Sequence, residues 1–167
     1  MNKVRSILHS IVCCAALFVL LTSCDNNVVY QDAKILNREG WYKRDLVTFD
    51  YQATDTTGTY NVIIDIRNTN EYEYQNLWLF LHSVSPDGIE FSDTLECVLA
   101  DNYGRWIGKS SGSMYELPVI ALSEIRFPKA GNYRFDLAQG MRTDTLQGIH
   151  EIGIRIEQVK MEADGKE

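Results

Sequence analysis

Beyond residue 41 the dominant period of the chain is two. Val47, Phe49 and Tyr51 alternate with Thr48, Asp50 and Gln52, and Tyr60, Val62, Ile64 and Ile66 fall opposite Asn61, Asp65 and Arg67. Residues 91–99 alternate again, Tyr133, Phe135 and Leu137 alternate with Arg134, Asp136 and Ala138, and Ile152, Ile154 and Ile156 with Gly153, Arg155 and Glu157. A strand sends successive side chains to opposite faces, so each run predicts a strand with one face on a core. Residues 77–84 are apolar on both faces and predict a central, buried strand. The runs are short and rich in β-branched and aromatic residues.

Turn chemistry separates them. Ser85-Pro86-Asp87-Gly88 combines a preset φ, a side chain that bonds its own backbone, and a glycine for the left-handed position, which predicts a hairpin. Thr56-Thr57-Gly58, Asn102-Tyr103-Gly104, Ser110-Ser111-Gly112-Ser113 and Pro128-Lys129-Ala130-Gly131 punctuate the rest. Residues 114–125 are ambiguous: Tyr115, Leu117, Val119 and Ala121 could alternate, and Pro118 argues against a helix interior. About seven or eight strands with regular turns predict an all-β fold, an antiparallel β-sandwich of Ig-like or jelly-roll-like kind. Residues 24–40 lack sustained periodicity and read as a tether, 41–159 as the sandwich domain, and 160–167 as a polar tail.

The first 23 residues obey a different pattern. Lys3 and Arg5 make a positive n-region, and residues 7–21 are almost wholly apolar. That run suits a signal peptide better than a membrane span, which needs roughly 20 apolar residues. It ends in Leu21-Thr22-Ser23-Cys24, the arrangement of a bacterial lipobox, in which the cysteine thiol is acylated and the bond before it is cut. The alternative is a plain signal peptide with an incidental cysteine, but h-region, small residues and cysteine coincide in register. Cys24 is therefore the expected lipidation site. One acyl chain anchors only marginally, at about 0.8 kcal/mol per buried CH₂, whereas several hold a domain stably at a membrane surface.

Cleavage changes the arithmetic. Removing residues 1–23 from 167 leaves 144, and the loss of Lys3 and Arg5 takes the formal net charge from −7 to −9. An acidic chain argues against nucleic-acid binding, which needs a basic face to displace counterions from phosphate. Cys13 and Cys14 leave with the leader and Cys24 carries lipid, so Cys97 is the one remaining thiol and no intrachain disulfide can form. The domain must be held by its core, and at this length folding buries roughly two-thirds of the unfolded surface.

Candidate chemistry is sparse. His9 departs with the leader, and His82 and His150 sit in strand runs without the HxH, HExxH or CxxC spacing of a zinc site. Cys97 lies in a strand context where a free thiol packs as a small hydrophobe. No nucleophile elbow or phosphate loop is present. Asp101-Asn102-Tyr103-Gly104 lacks the oxygen ladder of a calcium loop and reads as a turn. A glycosidase needs only two facing carboxylates, and Glu71, Glu73, Asp93, Glu96, Asp101, Asp136 and Asp144 could supply them, as could any acidic surface. The reading is of no catalytic, cofactor or metal site and no small-molecule substrate.

Aromatics are the remaining signal. Trp78 reads as packing, while Tyr103, Trp106 and Tyr115 stay open between filling the sandwich end and forming an interaction surface. Exposed rings would suit a protein partner or a sugar, which makes a glycan-binding lipoprotein the rival reading.

A set of collinear motifs resembles the GldH family of gliding-motility lipoproteins from Bacteroidetes. They are the lipobox cysteine with Val29-Tyr30, Trp41-Tyr42-Lys43-Arg44-Asp45, Ile66-Arg67-Asn68, and Tyr72-Glu73-Tyr74-Gln75-Asn76-Leu77. The strongest stretch is Pro86-Asp87-Gly88, Asp93 to Asp101, and Gly104-Arg105-Trp106-Ile107-Gly108-Lys109. Arg126-Phe127-Pro128, Gly131-Asn132-Tyr133, Gln139-Gly140-Met141-Arg142 and Gly148 to Glu157 close it, with Gly140 standing where alanine is expected. The resemblance implies an envelope lipoprotein that is membrane-attached through lipid on Cys24. It implies work with other Gld-type proteins and the type IX secretion machinery, with no enzymatic activity or cofactor.

Overall fold

The structure, a computed structural model, describes residues 27–160; the leader, Cys24 and the tail beyond Lys160 lie outside it. The described residues form eleven strands: β1 (Val28–Ile35), β2 (Trp41–Tyr42), β3 (Val47–Ala53), β4 (Tyr60–Thr69), β5 (Asn76–Val84), β6 (Glu90–Val98), β7 (Lys109–Ser111), β8 (Met114–Ile125), β9 (Gly131–Gln139), β10 (Thr145–Leu146) and β11 (Ile149–Gln158). They build a five-stranded sheet ordered β1-β11-β4-β8-β7, a four-stranded sheet ordered β3-β9-β5-β6, and a two-stranded clasp of β10 with β2. Every ladder is antiparallel. No helix among the described residues is long and apolar enough to cross a membrane.

The period-two residues are the two inner faces. Val62, Ile64 and Ile66 of β4 lie opposite Ile156, Ile154 and Ile152 of β11, and all six are fully buried. From the other sheet come Val47, Phe49 and Tyr51 of β3, facing Leu137, Phe135 and Tyr133 of β9, with Leu77, Leu79 and Leu81 of β5 beside them. Burying one such side chain contributes roughly 1.5–3 kcal/mol, so these rows hold the sheets together without any disulfide. Cys97 is part of this core.

Aromatic residues close each end. At one end Phe127 is buried with its ring centroid 5.0 Å from Tyr51, 5.4 Å from Tyr60 and 4.8 Å from Tyr133. At the other, buried Trp41 pairs with Leu146 across the clasp and donates its indole N–H to the Asp45 carbonyl at 2.9 Å.

Several expectations need correction. The tether is shorter than the sequence suggests, because residues 28–35 form β1 along the edge of β11. Only Tyr30 packs on the core from it, so an edge strand with polar Gln31 and Asp32 leaves a weak period. Strand β5 is central in its sheet but buried on one face only: Trp78 and Phe80 point outward, 38% and 48% exposed. Strand β6 is an edge, and Phe91 stays exposed on it. Residues 114–125 resolve as one long strand. Because β7 pairs only with Met114–Glu116, Pro118 lies where one side of β8 is unpaired, the setting that tolerates a residue without an N–H. Farther along, register shifts bend β8, and Glu124 takes φ 54° while its N–H is bonded to the Asn61 side chain at 2.9 Å.

Candidate functional site

The outer faces of the two sheets differ in chemistry. On the five-stranded sheet two arginines are ringed by carboxylates. Arg67 bridges Glu116 at 2.9 Å and Glu151 at 3.1 Å, and Arg155 bridges Asp65 at 3.1 Å and also holds Glu157. These pairs lie across β8, β4 and β11 in register, beside an exposed Ile120 on β8. Such a face has most of its charge paired internally.

The four-stranded sheet presents rings instead. In β5 the aliphatic residues Leu77, Leu79 and Leu81 alternate with Trp78 and Phe80, so the strand's pleat drives the leucines inward and both rings out. Tyr74, Asn76, Thr94, Gly140, Met141 and Arg142 complete a shallow groove of about 420 Å³ around them. Gly140 helps shape it: its N–H bonds the Trp78 carbonyl at 2.7 Å, and a Cβ there would lie 3.2 Å from the Phe80 ring. The glycine that departs from the expected alanine thus widens the floor beneath the two rings.

This groove continues into an aromatic track around the end of the sandwich. Tyr74 meets Tyr72 edge-on at 5.7 Å, Tyr72 lies 6.3 Å from Trp106, and Trp106 lies 5.8 Å from Tyr115. The loop carrying Trp106 is built by Asp101. Its carboxylate accepts the backbone N–H groups of Tyr103 and Arg105, each at 2.9 Å, and binds the Arg105 guanidinium at 2.7 Å. The Arg105 backbone N–H bond is the foremost cause holding the Asp101 carboxyl below the usual range. A one-pair bridge, Ala100 with Trp106, then sets the indole against Tyr72 and Tyr115, with its N–H donated to the Asn70 side chain at 2.9 Å.

The structure therefore brings two of the three sequence-selected aromatics together. Trp106 and Tyr115 are neighbours and half-buried, while Tyr103 stands apart at the tip of the turn, 86% exposed, with the Arg105 guanidinium 5.3 Å from its ring centroid. Cys24 lies outside the described residues. The sequence reading took Trp78 as packing and did not single out Phe80 or Arg142. The signal was present: two large rings at alternate positions, 78 and 80, set between leucines at 77, 79 and 81.

Several of the titratable residues considered for chemistry occupy structural places. Burial pushes the Cys97 thiol up to about 11, which keeps it protonated and unreactive at neutral pH. His82 shares a 3.0 Å hydrogen bond with Ser92 on the outer face, and His150 lends its carbonyl to the Leu36 N–H. Asp136 is buried and accepts from Thr48 at 2.6 Å and Arg134 at 3.0 Å; Glu96 accepts from Asn76 at 2.7 Å. Among the described residues no three His, Cys, Asp or Glu side chains converge as metal ligands would. What the surface offers is apolar contact with polar edges, suited to binding.

Comparison with known proteins bears on that surface. The GldH lipoprotein family matches residues 28–156. The chain is 34% identical over 146 residues to a protein of Christiangramia forsetii named "Gliding motility lipoprotein GldH homolog", covering 83% of this chain and 89% of that protein. It is 31% identical over 147 residues to "Gliding motility lipoprotein GldH" of Flavobacterium johnsoniae, covering 84% and 91% respectively.

Proposed function

The chain belongs to the GldH lipoprotein family, and from that premise we propose that it is a membrane-anchored envelope lipoprotein serving as a non-catalytic accessory subunit of the gliding-motility and type IX secretion machinery. Lipid on Cys24 holds it to the membrane, and the aromatic track from Phe80 to Tyr115 is the surface it offers to other Gld-type proteins. The observation that carries this reading is the family match across the whole sandwich, residues 28–156. The exposed rings supply a reason for the partner to bind where proposed, since large aromatics in a shallow groove are what protein interfaces concentrate energy on.

A photo-crosslinking residue placed at Trp78 or Tyr103 of the full-length protein in living cells tests it, followed by pull-down on a carboxy-terminal tag. Crosslinks to gliding or secretion subunits from Trp78 support the proposal. A second reading, glycan binding, draws on one observation: Trp78 and Phe80 share their groove with Asn76, Thr94 and Arg142, which could hydrogen-bond a stacked sugar. Crosslinks to glycan-uptake proteins, with gliding subunits absent, would favour it instead.

A further inference from the structure

The sandwich has two chemically distinct ends, and the chain enters from one of them. Asn27 accepts the Gln158 N–H at 2.7 Å, and Val159 donates its N–H to Thr59 at 2.8 Å, so the start of β1 lies beside the end of β11 and the loop before β4. Thr57, Gly58, Arg126 and Lys160 surround the same spot with Asn27. The β5–β6 hairpin reaches the same end: Lys129 bridges Asp87 at 3.1 Å, and Gly131 packs against Pro86. Residues 54–59, 85–89 and 126–130 are therefore one surface around the point where the chain emerges.

Only Asp25 and Asn26 separate Cys24 from Asn27. Three Cα steps span at most about 10 Å even when fully extended. An acylated Cys24 must sit at the lipid surface, so this end of the sandwich cannot lie farther than that from it. The surface is suited to such a position. Ile89 is 67% exposed at the hairpin tip, and at the same end Arg126 and Lys160 are exposed cations beside Asn27. Asp87 is tied to Lys129, and Asp55 turns into its own loop to accept from Thr57 and Tyr60, so two of the acids at this end are already engaged.

We propose that this end is a lipid-contacting face, held against the bilayer by the two-residue tether, with Ile89 entering the headgroup region and Arg126 and Lys160 meeting phospholipid phosphates. The inference rests on lipidation of Cys24. Its consequence is an orientation: the strands stand away from the membrane, and since nine residues of β9 rise about 30 Å, the Trp106 end is carried roughly that far into the aqueous space. The aromatic track is then presented to partners instead of to lipid.

The full-length lipidated protein, reconstituted in vesicles of phosphatidylethanolamine and phosphatidylglycerol, tests this. Ile89→Cys and Tyr103→Cys variants, both at exposed positions, are labelled with an environment-sensitive fluorophore; buried Cys97 does not react. The expected result is a blue-shifted probe at position 89 whose quenching by aqueous iodide is several-fold weaker than at position 103. Equal quenching at the two positions, or stronger protection at 103, overturns the orientation. Mass measurement of the amino-terminal peptide on the same sample separates the causes. An unacylated Cys24 refutes the lipid anchor itself, whereas an acylated one with an open Ile89 refutes only the contact face. Inserting about twelve Gly/Ser residues between Asp25 and Asn26 lengthens the tether to roughly 20 Å on average and is expected to abolish the difference. Protection unchanged by the insertion overturns the tether as its cause.

Discussion

Gly148 approaches the backbone of Tyr72 so closely that a Cβ on it would lie 2.2 Å from the Tyr72 nitrogen. The glycine also has φ +81°, and its carbonyl accepts the Thr69 N–H at 2.8 Å. The turn before β11 is thus pressed directly onto the turn after β4, and Tyr72 is the first ring inward from the groove. Gly148→Ala is expected to cost about 2–5 kcal/mol, from ~1–2 for the left-handed backbone and ~1–3 for the forced displacement. Urea unfolding measures the loss. Intrinsic fluorescence of Trp106, which Tyr72 flanks, should shift in the variant under native conditions, and an unchanged spectrum would show that the turn adjusts without moving the ring.

Asp55 makes stability depend on acid. Its carboxyl is held down to about 2, first by the Thr57 N–H and then by the Thr57 and Tyr60 hydroxyls. The unfolded chain takes up a proton near 3.8 that the folded chain refuses until about 2, so between those values stability rises with pH. The contribution is complete above about pH 4 and disappears as the pH falls through 2. Asp55→Asn should therefore be less stable than the parent at pH 7, with the gap closing as the pH approaches 2. Thermal melts of both proteins across that range check the sign, and a gap that widens in acid refutes it.

Two of the arginines paired with carboxylates, Arg155 and Arg105, are not equivalent. Arg155 has a side chain 22% exposed between Asp65 and Glu157, whereas Arg105 is 75% exposed beside Asp101. Arg155→Ala strands two partly buried carboxylates and is expected to cost about 1–3 kcal/mol. Arg105→Ala removes a solvent-screened pair and should cost less than about 1 kcal/mol. Equilibrium unfolding of the two variants in parallel gives the ratio.

Trp78 should matter for binding more than for folding. Its ring lies on an outer face, so Trp78→Ala is expected to cost about 1 kcal/mol or less. Phe127→Ala, at a fully enclosed ring, should cost about 3–5 kcal/mol. If partner capture in cells falls with Trp78→Ala while the melting temperature holds, the groove is the contact. Capture that persists at parental levels moves the contact elsewhere on the track.

Most of the fold could be read from alternation because this core is built from strands buried on one face, and period two reports that burial directly. Val47 to Tyr51, Tyr60 to Ile66, Tyr133 to Leu137 and Ile152 to Ile156 all point as the pattern requires. Legibility fails where burial is incomplete or local chemistry intervenes. Strand β1 buries little, so its alternation is diluted by Gln31 and Asp32. In β5 aromatic and aliphatic residues are equally apolar, and a binary pattern cannot separate a ring facing water from a leucine facing the core. The aromatic track was half legible: Trp106 and Tyr115 stand out in composition, but their meeting with Tyr72 depends on the Asp101 turn and on the Gly148 contact, both long-range. The expectation of lipid on Cys24 rests on the register of leader and cysteine, outside the described residues.

The pairing of β1 with β11 also sets an order of events. The ladder runs from Val28 against Glu157 to Ile35 against Glu151, joining the two ends of the described chain. Ribosome and export channel deliver the first strand long before the last. Until residues 149–158 arrive, β4 lacks a neighbour on that side and β1 has none at all. Pairings so distant in sequence form slowly, because loop closure is costly before contacts reward it. Newly delivered chains therefore wait with unpaired edges, and a protein truncated before Ile149 would keep them permanently, making it a substrate for chaperones and proteases.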